Sequence, residues 1–67
     1  MRDVNRLYWF YNELMKIHIE HFPDWRFGQL VNNLEQWLQV NKKIEDIFYI
    51  EEEAMLRYLH EFIDRIK

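Results

Sequence analysis

The sequence predicts an all-α domain of three helices, with an extended connector between the second and the third. Gly and Pro occur once each among the 67 residues, whereas an all-β fold of this length needs several turns built from such residues. The chain is 49% apolar and 18% aromatic, which is too apolar for a disordered chain. Apolar side chains recur at helical spacing in residues 2–22, 25–40 and 51–66. One compact domain is therefore expected over residues 1–67.

The first helix is predicted over residues 2–22. Asp3 suits the positive end of the helix dipole, and Pro23 ends the helix. On a helical wheel of about 100° per residue, one face is largely apolar and Phe10 and Ile17 lie at its border. We expect that face to be buried. Its members are Val4, Leu7, Tyr11, Leu14, Met15, His18 and Phe22.

The second helix is predicted over residues 25–40, with Asp24 as its N-cap and Asn41 at its end. Residues 42–50 break the helical pattern. We interpret them as an extended connector that anchors one or two side chains in the core and leaves a backbone edge open to another copy. The buried face of the helix is expected to comprise Phe27, Leu30, Val31, Leu34, Trp37 and Leu38.

The third helix is predicted over residues 51–66. The run of acidic residues 51–53 lies at the positive end of the helix dipole. Arg57 and Glu61 have the i,i+4 spacing of a stabilising ion pair. The predicted buried face comprises Met55, Leu56, Leu59, Phe62, Ile63 and Ile66.

Two segments resemble motifs of a group of short bacterial and phage proteins. Residues 23–30 are similar to P-D-x-R-[FL]-G-Q-L, and residues 46–52 to D-x-F-Y-[IV]-E-[DE]. The chain departs from that group at Ile47, where Pro is usual. The resemblance covers nearly the whole chain. It implies a shared fold and a bacterial or phage origin, and it carries no agreed activity.

The first motif also has a physical interpretation. Arg26 in the first turn of a helix opposes the dipole, which predicts an acidic partner such as Glu51 or Glu52. Gly28 inside a helix indicates close approach of another backbone, such as that of the connector. The two motifs then form either a packing device that holds the connector on the second helix, or a binding site built from Arg26, Gln29 and Tyr49.

The composition argues against enzymatic chemistry. The chain has no Ser, Thr or Cys, so hydroxyl and thiol nucleophiles other than Tyr are excluded, and no Gly-rich loop binds a nucleotide. His18 and His21, or His60 and Asp64, have spacings that place two metal ligands on one helix side. A His within an apolar face is more commonly bonded to a neighbour, so neither a metal nor another cofactor is predicted.

Aromatic residues outside the expected core are the most informative feature. Trp9 falls on the polar face of the first helix and Trp25 lies off the apolar stripe of the second. Trp is enriched where proteins bind each other. We therefore predict a self-associating protein-interaction module, a dimer or higher oligomer. The resemblance adds an accessory role for a phage or mobile element that modulates a host protein. The expected interaction residues are Trp9, Trp25, Tyr8, Phe10, Arg26 and Tyr49.

Two alternatives belong to other classes. Three helices can hold a helix-turn-helix that binds nucleic acid, but the net charge of −3 argues against it. Alternatively, Tyr8, Tyr11 and Trp37 stack on a nucleotide or similar small ligand at a subunit interface. No apolar stretch is long enough for a membrane span and no signal peptide is evident, so the cytoplasm is the expected location. The basic face of a nucleic-acid binder would comprise Arg2, Arg6, Lys16, Lys42 and Lys43.

Overall fold

Three α-helices make up most of the computed structural model, which describes residues 3–66. They are α1 (Asn5–His21), α2 (Phe27–Asn41) and α3 (Glu52–Ile66). The predicted all-α, three-helix architecture is therefore confirmed. Residue 2, where the first helix was expected to begin, lies outside the described residues.

The N-terminus of α2 is capped differently from the prediction. Asp24 is not the N-cap, because the chain stays non-helical for two more residues and Arg26 takes the extended conformation of a cap, with φ −72° and ψ 158°. The side chain of Gln29, three residues later, folds back toward Arg26. Its Oε1 accepts a hydrogen bond from the Arg26 backbone N–H at 2.7 Å. This is one half of the reciprocal bonding known as a capping box. The glutamine, not the aspartate, therefore fixes the start of α2.

The C-terminus of α2 lies at Asn41, as predicted. The backbone N–H groups of Lys42 and Ile44 both donate to the carbonyl oxygen of Leu38, at 2.9 and 3.2 Å. Lys43 adopts a left-handed conformation, with φ 58°. A left-handed residue commonly ends a helix, and that position is usually filled by Gly. Here the position is filled by a lysine, whose Cβ makes the left-handed conformation sterically unfavourable.

The connector contains a short 3-10 turn, Ile47–Tyr49. Asp46 Oδ1 accepts the Phe48 backbone N–H at 2.9 Å, and the Ile50 N–H donates to the Ile47 carbonyl at 3.1 Å. The expected open backbone edge is therefore wrong, because the segment curls and residues 3–66 contain no strand. The expected anchoring is confirmed. Three connector residues pack against the core: Ile44, Ile47 and Ile50.

The core is centred on α3. This helix packs against both α1 and α2, which contact each other less than α1 contacts α3. Residues of α3 and α2 supply most of the buried side chains, and Ile17 alone represents α1. The buried set is Ile17, Phe22, Leu30, Leu34, Leu38, Leu56, Leu59, Phe62 and Ile63. No helix within residues 3–66 is both long enough and apolar enough to cross a membrane.

The predicted buried face of α1 is correct for Phe22, which is buried, and for Leu14, which packs against the core, but wrong for other members. Ile17 is buried and Phe10 packs against the core, although both were placed at the border of the apolar face. Val4, Tyr11 and Met15 were expected in the core and are exposed. Apolar residues surround most of α1, so the wheel did not reveal which side α3 would cover. The core-facing side is rotated around the helix axis.

Two further members of the predicted core are exposed, Phe27 at 60% and Ile66 at 45%. Both occupy the terminal residue of their helix. Side chains at helix ends have fewer neighbours on the facing helices, so the wheel overestimates their burial. Their apolar surface contributes to the outside of the molecule.

Between residues 3 and 66, ion pairs join the helices at two places. Arg6 Nε lies 3.1 Å from Glu52 Oε1 and links the first turns of α1 and α3. Lys42 Nζ lies 2.8 Å from Glu61 Oε2 and links the end of α2 to α3. Because Glu61 binds Lys42, the predicted pairing of Arg57 with Glu61 is wrong. Arg57 instead lies 3.9 Å from Glu53.

Candidate interaction surface

The outward side of α1 carries a row of exposed apolar side chains, which we name the open stripe. Its spacing of three and four residues places all the members on one side of the helix. Each is between 52% and 70% exposed. A helix in a globular protein normally turns such a stripe toward the core. The open stripe consists of Val4, Tyr8, Tyr11, Met15 and Ile19.

The open stripe is uncharged along its length. On the helical wheel the amides Asn12 and Asn5 border the stripe on one side and His18 borders it on the other, whereas Glu13 and Glu20 lie on the far side of the helix. Lys16 lies beyond the amides at the edge of the stripe, and its Nζ lies 3.6 Å from Glu13 Oε1. Removing the stripe from water would therefore desolvate apolar groups and few charges.

An apolar groove adjoins the open stripe. It lies between α1 and α2 and has a volume of about 280 Å³. Tyr11 borders this groove and also belongs to the open stripe, so the two surfaces are continuous. The groove exists because α1 and α2 both pack on α3 more than on each other. Its lining also includes Phe10, Leu14, Phe27, Val31, Ile47 and Met55.

The predicted interaction residues of α1 lie on different sides of the helix. Tyr8 is on the open stripe and is 70% exposed. Trp9 is 47% exposed and lies in a hollow beside Arg57 and His60 of α3. Phe10 packs against the core and meets the ring of Tyr11 edge-to-face, with the centroids 5.4 Å apart. Of these three, Tyr8 alone contributes to the stripe.

Trp25 was predicted to be a surface aromatic residue, but it packs against the core. Its ring stacks on Phe22, with centroids 4.4 Å apart and planes 9° from parallel, and it also packs against Phe62. Its carbonyl oxygen lies 2.7 Å from His18 Nε2. The turn at Pro23 folds the indole back over Phe22, so the residue closes one edge of the core.

The interpretation of the first motif is wrong in two respects. Arg26 is exposed and forms no ion pair within residues 3–66, because Glu52 binds Arg6. A Cβ atom at Gly28 would meet nothing within 4 Å, so no backbone approaches closely there. The side chain of Gln29 is engaged in capping α2.

Tyr49, the last of the predicted interaction residues, projects from the connector. It is 80% exposed, and its ring meets that of Phe48 edge-to-face at 4.9 Å. These two rings form a small aromatic projection on the 3-10 turn. No ion pair or hydrogen bond within the described part of the chain connects the Tyr49 side chain with Arg26 or Gln29.

The residues predicted for metal binding and for stacking on a small ligand lie at separate places in the structure. The His18 ring is hydrogen-bonded through Nε2 to the Trp25 carbonyl oxygen, as expected for a histidine bonded to a neighbour. Trp37 packs edge-on against Phe62 at 5.7 Å and lines a different hollow from Tyr8 and Tyr11, so one protomer does not bring these three rings together. Among residues 3–66, no three His, Asp or Glu side chains cluster as metal ligands would.

The sequence did not predict that Val4, Tyr11, Met15 and Ile19 lie at the surface of the protomer. The available signal was the breadth of the apolar face of the first helix, which exceeds what one neighbouring helix can cover. Comparison of the chain with protein-family models, with curated proteins and with solved structures finds no match.

Proposed function

We propose that this protein is a small helical module that binds another protein chain through the open stripe and the adjoining groove. The observation that carries the proposal is the continuous apolar surface of α1, from Val4 to Ile19 and onto Phe27. Contiguous exposed apolar surface is uncommon on monomers and typically marks an interaction site. Tyr and Met, the residue types of three of the five stripe members, are also enriched in protein interfaces.

Charge favours a protein partner over nucleic acid. Binding to a phosphate backbone depends on Lys and Arg contacts, and the chain has a net charge of −3. Three cations of the proposed basic face already pair with carboxylates: Arg6 with Glu52, Lys16 with Glu13 and Lys42 with Glu61. Arg2, another member of that face, lies outside the described residues.

The groove is also poorly suited to a small polar ligand. Binding sites for such ligands combine apolar walls with a few polar groups that orient the molecule. The residues around this groove are apolar, apart from the hydroxyl of Tyr11. An apolar protein surface is a better match than a nucleotide.

The resemblance of the two motifs supports a proposal about origin. An accessory protein of a phage or mobile element that modulates a host protein, acting in the cytoplasm and without enzymatic activity, would need an exposed binding surface on a minimal domain. The open stripe provides one.

Site-specific photo-crosslinking in producing cells tests the proposal. A benzophenone amino acid would replace Met15 on the open stripe and, as the control, Gln39 on the outer side of α2. Both positions are exposed. We expect discrete protein adducts from position 15 and few from position 39. Absence of adducts from position 15, or equal yields from the two positions, would refute the proposed function.

A further inference from the structure

We infer that the occupant of the open stripe is the open stripe of a second copy, packed antiparallel in a two-fold symmetric dimer. The inference rests on the proposed function and names its partner. A two-fold axis pairs the same surface patch on both subunits. The stripe must then complement itself in area, charge and shape.

The area of the stripe fits a dimer. With the exposed fractions of its side chains and Phe27 included, the surface offers on the order of 700 Å² per copy, taking about 150–250 Å² for a large side chain. Complete burial of this surface in both copies would remove at most about 1,400 Å² from water, which lies within the range of about 1,200–2,000 Å² that stable interfaces bury. The open stripe with Phe27 is thus large enough to hold two copies together.

The charge distribution allows two acidic copies to meet at this surface. Each chain has a net charge of −3, and like charges at an interface oppose association. One flank of the stripe consists of Asn5, Asn12 and Lys16 and the other includes His18, whereas the carboxylates Glu13 and Glu20 lie on the opposite side of α1. The helices would therefore approach each other without bringing carboxylates together at the centre.

The order of side chains along the stripe suits an antiparallel arrangement. Reversal about the midpoint near Tyr11 places the aliphatic ends, Val4 and Ile19, opposite each other across the dimer. It places Tyr8 opposite Met15 of the second copy. Met is flexible and makes favourable sulfur–aromatic contacts. Antiparallel helices also bring opposite ends of their dipoles together.

The small core gives a reason for association. Within the described residues, α1 supplies one buried side chain, Ile17. Domains of this size commonly gain stability from disulfides, metals or oligomerisation, and the chain has no Cys. In a dimer the second face of α1 would be buried as well, which accounts for a helix that is apolar on two sides.

Sedimentation equilibrium of the purified chain tests the inference by a charge exchange across the two-fold axis. We expect the wild type to sediment at twice the chain mass. Tyr8→Lys and Met15→Glu should each weaken the dimer by more than about tenfold, because each buries a charge at the interface. The double variant should recover most of the affinity, because an antiparallel pair brings the new opposite charges together.

The control is Val40→Glu, which adds a carboxylate at an apolar position that is 71% exposed but lies on α2, away from the stripe. It should leave the mass unchanged. Circular dichroism establishes that the single variants keep their helices, which we expect because the replaced side chains lie outside the core.

A wild type that sediments as a monomer would overturn the dimer. If position 15 nevertheless crosslinks to a protein of another mass, the proposed function stands without the inference. If position 15 yields no adduct, both fail. Single variants that dissociate without recovery in the double variant would overturn the antiparallel pairing.

Discussion

His18 Nε2 lies 2.7 Å from the carbonyl oxygen of Trp25 and so joins the last turn of α1 to the segment that leads into α2. The same segment is held by the stacking of Trp25 on Phe22 at 4.4 Å. Together these contacts fix the direction in which the chain leaves Pro23.

Replacing His18 by Leu should destabilise the protein by about 1–2 kcal/mol, because a partly buried carbonyl loses its hydrogen-bond donor. His60→Leu is the matched control. His60 is exposed, and surface substitutions usually change stability by less than about 0.5 kcal/mol. Urea denaturation followed by circular dichroism measures both variants. Equal midpoints would show that the bond between His18 and Trp25 contributes no stability.

Trp25→Ala should cost about 2–4 kcal/mol of stability, because the indole packs on Phe22 and Phe62 at the edge of the core. Trp9→Ala should cost less than half as much, since Trp9 is 47% exposed. Thermal denaturation of the two variants compares them directly. A larger loss for Trp9 would contradict the assignment of Trp25 as the structural tryptophan.

Lys43→Gly should stabilise the protein by about 0.5–1 kcal/mol. The left-handed conformation costs a non-glycine residue roughly 1–2 kcal/mol, and part of the gain is offset by the greater freedom of Gly in the unfolded chain. Asn32→Gly, inside α2, should instead lower the stability. Chemical denaturation distinguishes the two signs, and a loss of stability at position 43 would refute the interpretation of φ 58°.

Gly28→Ala should stabilise the protein by up to about 1 kcal/mol, because Ala is the better helix former and nothing lies within 4 Å of the added Cβ. A close backbone approach, as the sequence motif indicated, would produce the opposite sign. Thermal denaturation gives the sign. Ala54, already in the first turn of α3, offers the reverse control: Ala54→Gly should lower the stability.

Several elements of the fold could be predicted from the residues alone. Pro23 separates α1 from α2, and Asn41 ends α2. The buried faces of α2 and α3 follow their helical periodicity because each of these helices has one narrow apolar side, as shown by Leu30, Leu34 and Leu38 in α2. These features depend on local geometry, so they can be predicted from the sequence.

The candidate site could be predicted only in part. Tyr8 was expected at the surface and belongs to the open stripe, whereas Trp25 was expected there and is packed on Phe22. Arg26 was expected to bind an acidic residue of the second motif, but Glu52 pairs with Arg6 of α1 instead. Each of these outcomes depends on which distant segments meet.

The sequence by itself determined three helices, their order and the turn at Pro23, because periodicity and chain breaks act over a few residues. The tertiary structure decided which side of α1 faces α3. Both sides of that helix are apolar, so local preference does not distinguish them, and packing of Ile17 against α3 selects one. The side that was not selected, from Val4 to Ile19, became the surface through which we propose that the protein acts.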